Sequence, residues 1–134
     1  MSRITTVSLV VPDYDEAIAY YTSCLGFRLI EDRPVSPGKR WVRVAPRGGG
    51  GEHGAALLLA KAANEHQQSR VGNQTGGRVF LFLETDDFDR DYAAFAAKGV
   101  QFLEQPRSEA YGKVVVFVDR YGNRWDLIGH AARP

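Results

Sequence analysis

Polar and apolar residues alternate over residues 5–11, with Val7, Leu9 and Val11 on one side and Thr6, Ser8 and Val10 on the other, which predicts a half-buried β-strand. Pro12 stops that strand, and Asp13 with Glu16 three residues later has capping-box spacing. Ala17, Ile18, Tyr21 and Leu25 then recur at helical spacing before Gly26, a residue suited to a helix C-terminus. Residues 27–31, 40–45 and 55–60 are predicted as three further strands. Between the last two lies RGGGGEHG, whose four consecutive glycines predict a mobile loop. Residues 61–77 are polar and turn-rich, without a strand period, and are predicted as a connector.

The pattern then starts again. Over residues 78–84, Val79, Leu81 and Leu83 alternate with Arg78, Phe80 and Phe82, and Asp86 and Asp87 open a helix carrying Phe88, Tyr92, Phe95 and Ala96 that ends at Gly99. Val7, Leu9 and Val11 match Val79, Leu81 and Leu83. After a one-residue slip GFRLIE (26–31) matches GVQFLE (99–104), and residues 41–44 fall on 114–117. The chain closes on a hairpin: Tyr121-Gly122-Asn123 turns VVVFV into WDLI, placing Trp125 and Leu127 on one face and Arg124, Asp126 and Ile128 on the other. The sequence is therefore an internal duplication of a βαβββ unit in an α+β domain. One domain is expected over residues 1–134, with a first unit at 4–60, the connector at 61–77 and a second unit at 78–129. Each unit has one helix to cover one face of a four-stranded sheet. The set Val7, Leu9, Val11, Val79, Leu81, Leu83, Trp125 and Leu127 belongs against the helices. Thr6, Ser8, Val10, Arg78, Phe80, Phe82, Asp126 and Ile128 are expected on concave faces that together form a cavity.

Composition narrows the partners. Seventeen basic and sixteen acidic side chains among 134 residues give a formal charge of +1, no field for holding nucleic acid or an anionic membrane. The single cysteine, Cys24, excludes an internal disulfide and a Cys-rich zinc module. No apolar stretch approaches the roughly 20 residues that span a bilayer, so a cytoplasmic protein is expected. His53, His66 and His130 neither alternate into the concave faces nor show the spacing of a helical zinc site.

The two βαβββ units, the opening strand followed by VPDYDEAIAYYTSCLGF, and the ending DRYGNRWDLI resemble the vicinal oxygen chelate superfamily, which contains glyoxalase I, extradiol dioxygenases, and fosfomycin and bleomycin resistance proteins. The resemblance covers residues 4–128. It implies four metal-ligand positions, of which the two usually occupied by His fall on Thr6 and Arg78, one usually occupied by Glu falls on Asp126, and the last falls among Leu57, Leu58 and Leu59. Asp126 is then the one candidate metal ligand. A guanidinium offers no lone pair and repels a cation, so no cofactor is expected, with a divalent metal disfavoured.

An ionised Asp in an apolar strand needs a cation, a metal or water beside it. Arg78 is expected to take the metal's place and pair with Asp126 across the cavity floor. Thr6, Ser8, Phe80, Phe82, Trp41 and Tyr111 complete the expected ligand-binding set, with Arg43 beside Trp41. The expected function is binding of a small anionic or aromatic molecule in a metal-free cavity. A metal-dependent lyase (lactoylglutathione lyase-like), isomerase or dioxygenase is the alternative that the resemblance implies, and a dimeric protein without a small ligand is a further one. A homodimer is expected, since members of the superfamily commonly pair two chains.

Overall fold

The first unit forms where its capping and alternation signals place it. β1 (Thr6–Val11) leads through Pro12 to α1 (Tyr14–Ser23), whose N-cap Asp13 accepts from the Glu16 amide at 2.8 Å. Gly26 adopts φ 70° and turns the chain into β2 (Arg28–Ser36), which a tight turn joins to β3 (Lys39–Ala45), followed by β4 (Ala56–Lys61) and the single helical turn α2 (Glu65–Gln68). The sheet order is β1-β4-β3-β2, with β1 parallel to β4 and the other pairs antiparallel. One face packs on α1: Leu9, Val11, Val42, Val44 and Leu59 are fully buried together with Ala17 and Tyr21 of the helix.

This is a computed structural model, and it describes residues 1–51 and 53–131. Its contacts divide the chain into two units, Met1–Val71 and a second that begins at Gly72. The connector is not featureless: α2 is capped by Asn64, packs near β1 and stays with the first unit.

The second unit repeats the plan with a broken edge. β5 (Val79–Glu84) precedes α3 (Phe88–Ala97), whose N-cap Asp87 accepts from the Arg90 amide at 3.1 Å. Then come β6 (Gln101–Phe102), β7 (Arg107–Glu109), β8 (Gly112–Val118) and β9 (Arg124–His130). The order is β5-β9-β8-β6, with β7 also pairing β8 and β5 parallel to β9. Phe117 and Trp125 stack at 5.7 Å between centroids, Phe95 of α3 meets Phe117 edge-on at 5.4 Å, and Val115 and Leu127 are fully buried beside them. No helix among the described residues is long and apolar enough to cross a membrane.

Three sequence expectations are corrected. β2 runs five residues past its expected end at Glu31, because as an edge strand it is largely exposed and has no buried face to impose alternation. The glycine run is tied down: the Gly50 amide donates to the Gly54 carbonyl at 3.1 Å, and Arg28 donates to the Gly49 carbonyl at 2.8 Å. Glu52 within it lies outside the described residues. The strict alternation expected over residues 78–84 is interrupted, because the β5–β9 register shifts between Val79 and Leu81, so that two residues of β5 answer one of β9.

Candidate functional site

On the first sheet, the face away from α1 is built by alternation from three strands. Thr6 and Ser8 of β1 stand beside Ala56 and Leu58 of β4, and Leu58 stands beside Arg43 of β3, which stands beside Glu31 of β2. Arg43 Nη1 donates to Glu31 Oε1 at 2.5 Å, and that bond, with the Arg43 charge and contributions from Trp41 and Arg33, holds the Glu31 carboxyl below the usual carboxylate range. Trp41, two residues before Arg43 and on the same face, has the Arg33 guanidinium over its ring at 5.6 Å. At the rim, Arg40 bonds Asp32 and Asp15 and lies over Tyr14 at 5.1 Å, which ties α1 to the β2–β3 hairpin. Of the predicted set, Thr6, Ser8 and Trp41 thus share one surface with Arg43.

On the second sheet the corresponding face centres on Asp126. It stands between Phe82 of β5 and Val116 of β8. Its Oδ1 is buried and has no hydrogen-bond partner. Burial pushes the carboxyl above the usual carboxylate range, with Glu104 adding to the rise and Arg107 opposing it. Arg107 bonds Glu104 through Nε at 2.8 Å and Glu109 through Nη1 at 2.6 Å, which raises its own pKa. Glu104 also accepts from the Val116 amide at 3.0 Å. Phe82, beside Asp126, is 63% exposed, unusual for a Phe within a strand.

The expected Arg78–Asp126 pair is not made. Among the described residues no ion pair joins the two, Arg78 is exposed, and its main-chain carbonyl accepts from the Thr75 hydroxyl at 2.6 Å. The cause is the register shift: Val79 stands opposite Arg124, so Val79 rather than Arg78 shares the face of Arg124 and Asp126. Arg107 is the basic residue whose charge reaches Asp126. Phe80 falls at the shift and is half-buried. Tyr111 is exposed in the turn before β8, beside the His130 end of the ladder and away from the Val116–Asp126 pair.

Sequence reasoning passed over Glu31, Glu104 and Arg107. The repeat itself carried the signal for the first two, since GFRLIE and GVQFLE end on them at matching positions. Arg107 lay in a stretch without periodicity. A cleft of about 840 Å³ in the second unit is lined by Glu84, Asp87, Asp89, Glu109, Lys113 and His130 among others, and none of the eight predicted residues lines it. Within it Lys113 bonds Asp89 at 2.9 Å, and His130 meets Glu84 at 2.8 Å.

Among the described residues no group of three or more His, Cys, Asp or Glu side chains gathers that could hold a metal ion. The family model described as Glyoxalase/Bleomycin resistance protein/Dioxygenase superfamily matches residues 3–127. This chain belongs to that superfamily. Among its relatives, an uncharacterized protein of Shewanella frigidimarina (strain NCIMB 400) is 51% identical over 126 residues, covering 93% of this chain and 91% of its own. The crystal structure of UcmS2 matches with a TM-score of 0.79 at 26% identity, over 96% of this chain and 98% of that one. The superfamily fold also appears in TnmS3, an antibiotic binding protein from Streptomyces sp. CB03234, with a TM-score of 0.75 at 28% identity over 98% of each chain.

Proposed function

We propose that this superfamily member is a binding protein for a small anionic or aromatic molecule and works without a metal ion. The observation that carries the reading is Asp126, a carboxyl oxygen buried without a partner on a sheet face beside the exposed ring of Phe82. A buried polar atom left unpaired is costly, and a ligand that bonds it removes that cost. Burial raises the carboxyl by penalising its charged form, and a hydroxyl or amide donor on a flat ring would satisfy the unpaired oxygen. The positions where the superfamily resemblance implies metal-binding histidines hold Thr6 and Arg78, and the aliphatic Leu58 stands where Asp126 stands in the other unit. The description of TnmS3 as an antibiotic binding protein supports a sequestering role. We propose further that the protein acts as a homodimer in the cytoplasm; analytical ultracentrifugation tests the dimer.

A thermal-shift screen of small carboxylates and flat aromatics, combined with metal analysis of protein purified without chelator and titrated with nickel, zinc, manganese and iron, tests the function. The expected outcome is ligand-induced stabilisation that Phe82→Ala and Asp126→Ala both weaken, with no stoichiometric metal. Uptake of one metal per chain overturns the metal-free reading in favour of a lyase, isomerase or dioxygenase. Ligand shifts that survive both substitutions move the site elsewhere.

A further inference from the structure

Arg43 makes a bond that accounts for only part of its donors. Its side chain is 14% exposed, Glu31 takes Nη1, and Nε is buried with no hydrogen-bond partner. The side edge of the fork, Nε with Nη2, therefore carries two parallel donors that no residue of the first sheet satisfies, Nε being closed off from solvent, a geometry matched to a carboxylate that replaces what covers it. Glu31 does not fill that edge, being shared with Arg33 at 3.7 Å and with Trp41. Trp41 lies on the same face, and the guanidinium over its ring belongs to Arg33, whose side chain is 63% exposed and so is free to give way to a flat ring. Ser8, exposed on that face beyond Leu58, offers a hydroxyl.

We propose that Arg43 is the anion-reading residue of this protein, taking the carboxylate of a planar aromatic acid whose ring stacks on Trp41. This deepens the ligand-binding reading and rests on it, while using residues of the first unit rather than Asp126. A purely structural Arg43–Glu31 pair is the competing account, and the two differ in the sign expected at Glu31. As an anion reader, Arg43 gains affinity when its competing carboxylate is neutralised; as a structural pair it only loses stability.

The test measures binding of 2-naphthoate and of its neutral counterpart 2-naphthylmethanol by calorimetry and tryptophan fluorescence. Wild type is expected to bind the acid about 10-fold more tightly than the alcohol, a difference of ~1.4 kcal/mol. Arg43→Met should erase that preference while alcohol binding persists, and Glu31→Gln should increase it. Should Arg43→Met fail to fold, Arg43→Lys keeps the charge, loses the fork, and is expected to cut the preference several-fold. Equal binding of the two probes by wild type, no binding of either, or a preference unchanged in the Arg43 and Glu31 variants overturns the assignment. Hits from the broader screen that respond to Asp126→Ala but not to Arg43→Lys would sink the Arg43 assignment and leave the ligand-binding reading standing. An absence of any hit defeats both.

Discussion

Where the third strand of the first unit places Arg43 opposite Leu58, the matching strand of the second places Val116 opposite Asp126. Across these two strands the ladders correspond and the charge has changed sign, although the parallel pair β5–β9 carries a register shift that β1–β4 lacks. Glu31 and Glu104 end matching segments, yet Glu31 accepts from a guanidinium on the neighbouring strand, while the residue beside Glu104 there is Val116, which offers no side-chain donor. Glu104 turns instead to the Val116 amide and to Arg107, which comes from β7, a strand that the first unit lacks as a separate element. The duplicated backbone was held by main-chain pairing, which tolerates most side chains, and the face away from the helix was left to diverge. One sheet consequently presents a cation with a spare donor edge, and the other an acid with a spare acceptor.

The turn before the last strand breaks the comparison most severely. In the second unit Asp119 is 4% exposed and accepts from the Tyr121 and Asn123 amides at 3.0 Å each, from Asn123 Nδ2 at 3.0 Å and from the Trp125 indole at 3.1 Å. In the first, the matching loop begins at Pro46 and is held by main-chain bonds across its glycines. Asp119→Ala orphans several buried donors at once and should cost ~3 kcal/mol or more, against ~1 kcal/mol or less for Pro46→Ala. Urea denaturation of both variants measures the contrast, and equal costs would show that the Asp119 network is dispensable.

Glycines sharpen the same contrast at smaller cost. A Cβ on Gly72, at φ +73°, would lie 1.8 Å from the Tyr121 carbonyl oxygen, so backbone must move. A Cβ on Gly50, at φ +84°, would lie 2.3 Å from the Ile30 terminal methyl and 2.8 Å from Ala45 Cβ, and the Ile30 end swings aside. Gly72→Ala should cost ~2 kcal/mol or more and Gly50→Ala ~1 to 2 kcal/mol, since both carry the left-handed penalty and the 1.8 Å approach to a carbonyl oxygen is the more severe, while at Gly50 the Ile30 end can rotate away and Ala45 has only to shift slightly. Melting temperatures of the two variants rank them; the reverse order would mean that Gly72 does not pack against the Tyr121 carbonyl.

Much of the fold was legible because buried faces impose a period. β1, α1, β4, α3 and β9 each carry one buried side, and Asp13 and Asp87 cap the helices that they precede. β2 beyond Glu31, β7 and α2 were invisible because they bury nothing, and an exposed edge has no hydrophobic code to read. At the site, alternation brought Thr6, Ser8 and Trp41 to one face and Phe82 and Asp126 to another. It failed at Arg78 because a one-residue shift at Phe80 reverses the side chains that precede it relative to Phe82 and Asp126, and no residue in GGRVFLFLE marks the shift. Arg107 was missed for a related reason, since it reaches Asp126 from an edge segment whose pairing the sequence does not announce.

The two carboxylates should also answer acid in opposite senses, the smallest of these effects. The Asp126 carboxyl is raised by burial, so its ionisation opposes folding: the stability it leaves is fullest below the ordinary carboxylate range and is lost as pH rises through its higher folded value. Glu31 is lowered chiefly by its bond to Arg43, so its contribution is present above the ordinary range and is lost as pH falls through its lower folded value. Asp126→Asn is therefore expected to melt above wild type at neutral pH, and Glu31→Gln to melt slightly below it, with both differences shrinking on acidification. The Glu31 effect should fade further with added salt, because the Glu31 carboxylate is a third exposed, whereas the Asp126 effect arises from burial and should persist. Melting temperatures of the three proteins across an acid-to-neutral series, at low and high salt, decide it. An Asp126→Asn variant that melts below wild type at neutral pH would mean that the charged carboxylate has found a partner, which removes the asymmetry between the sheets.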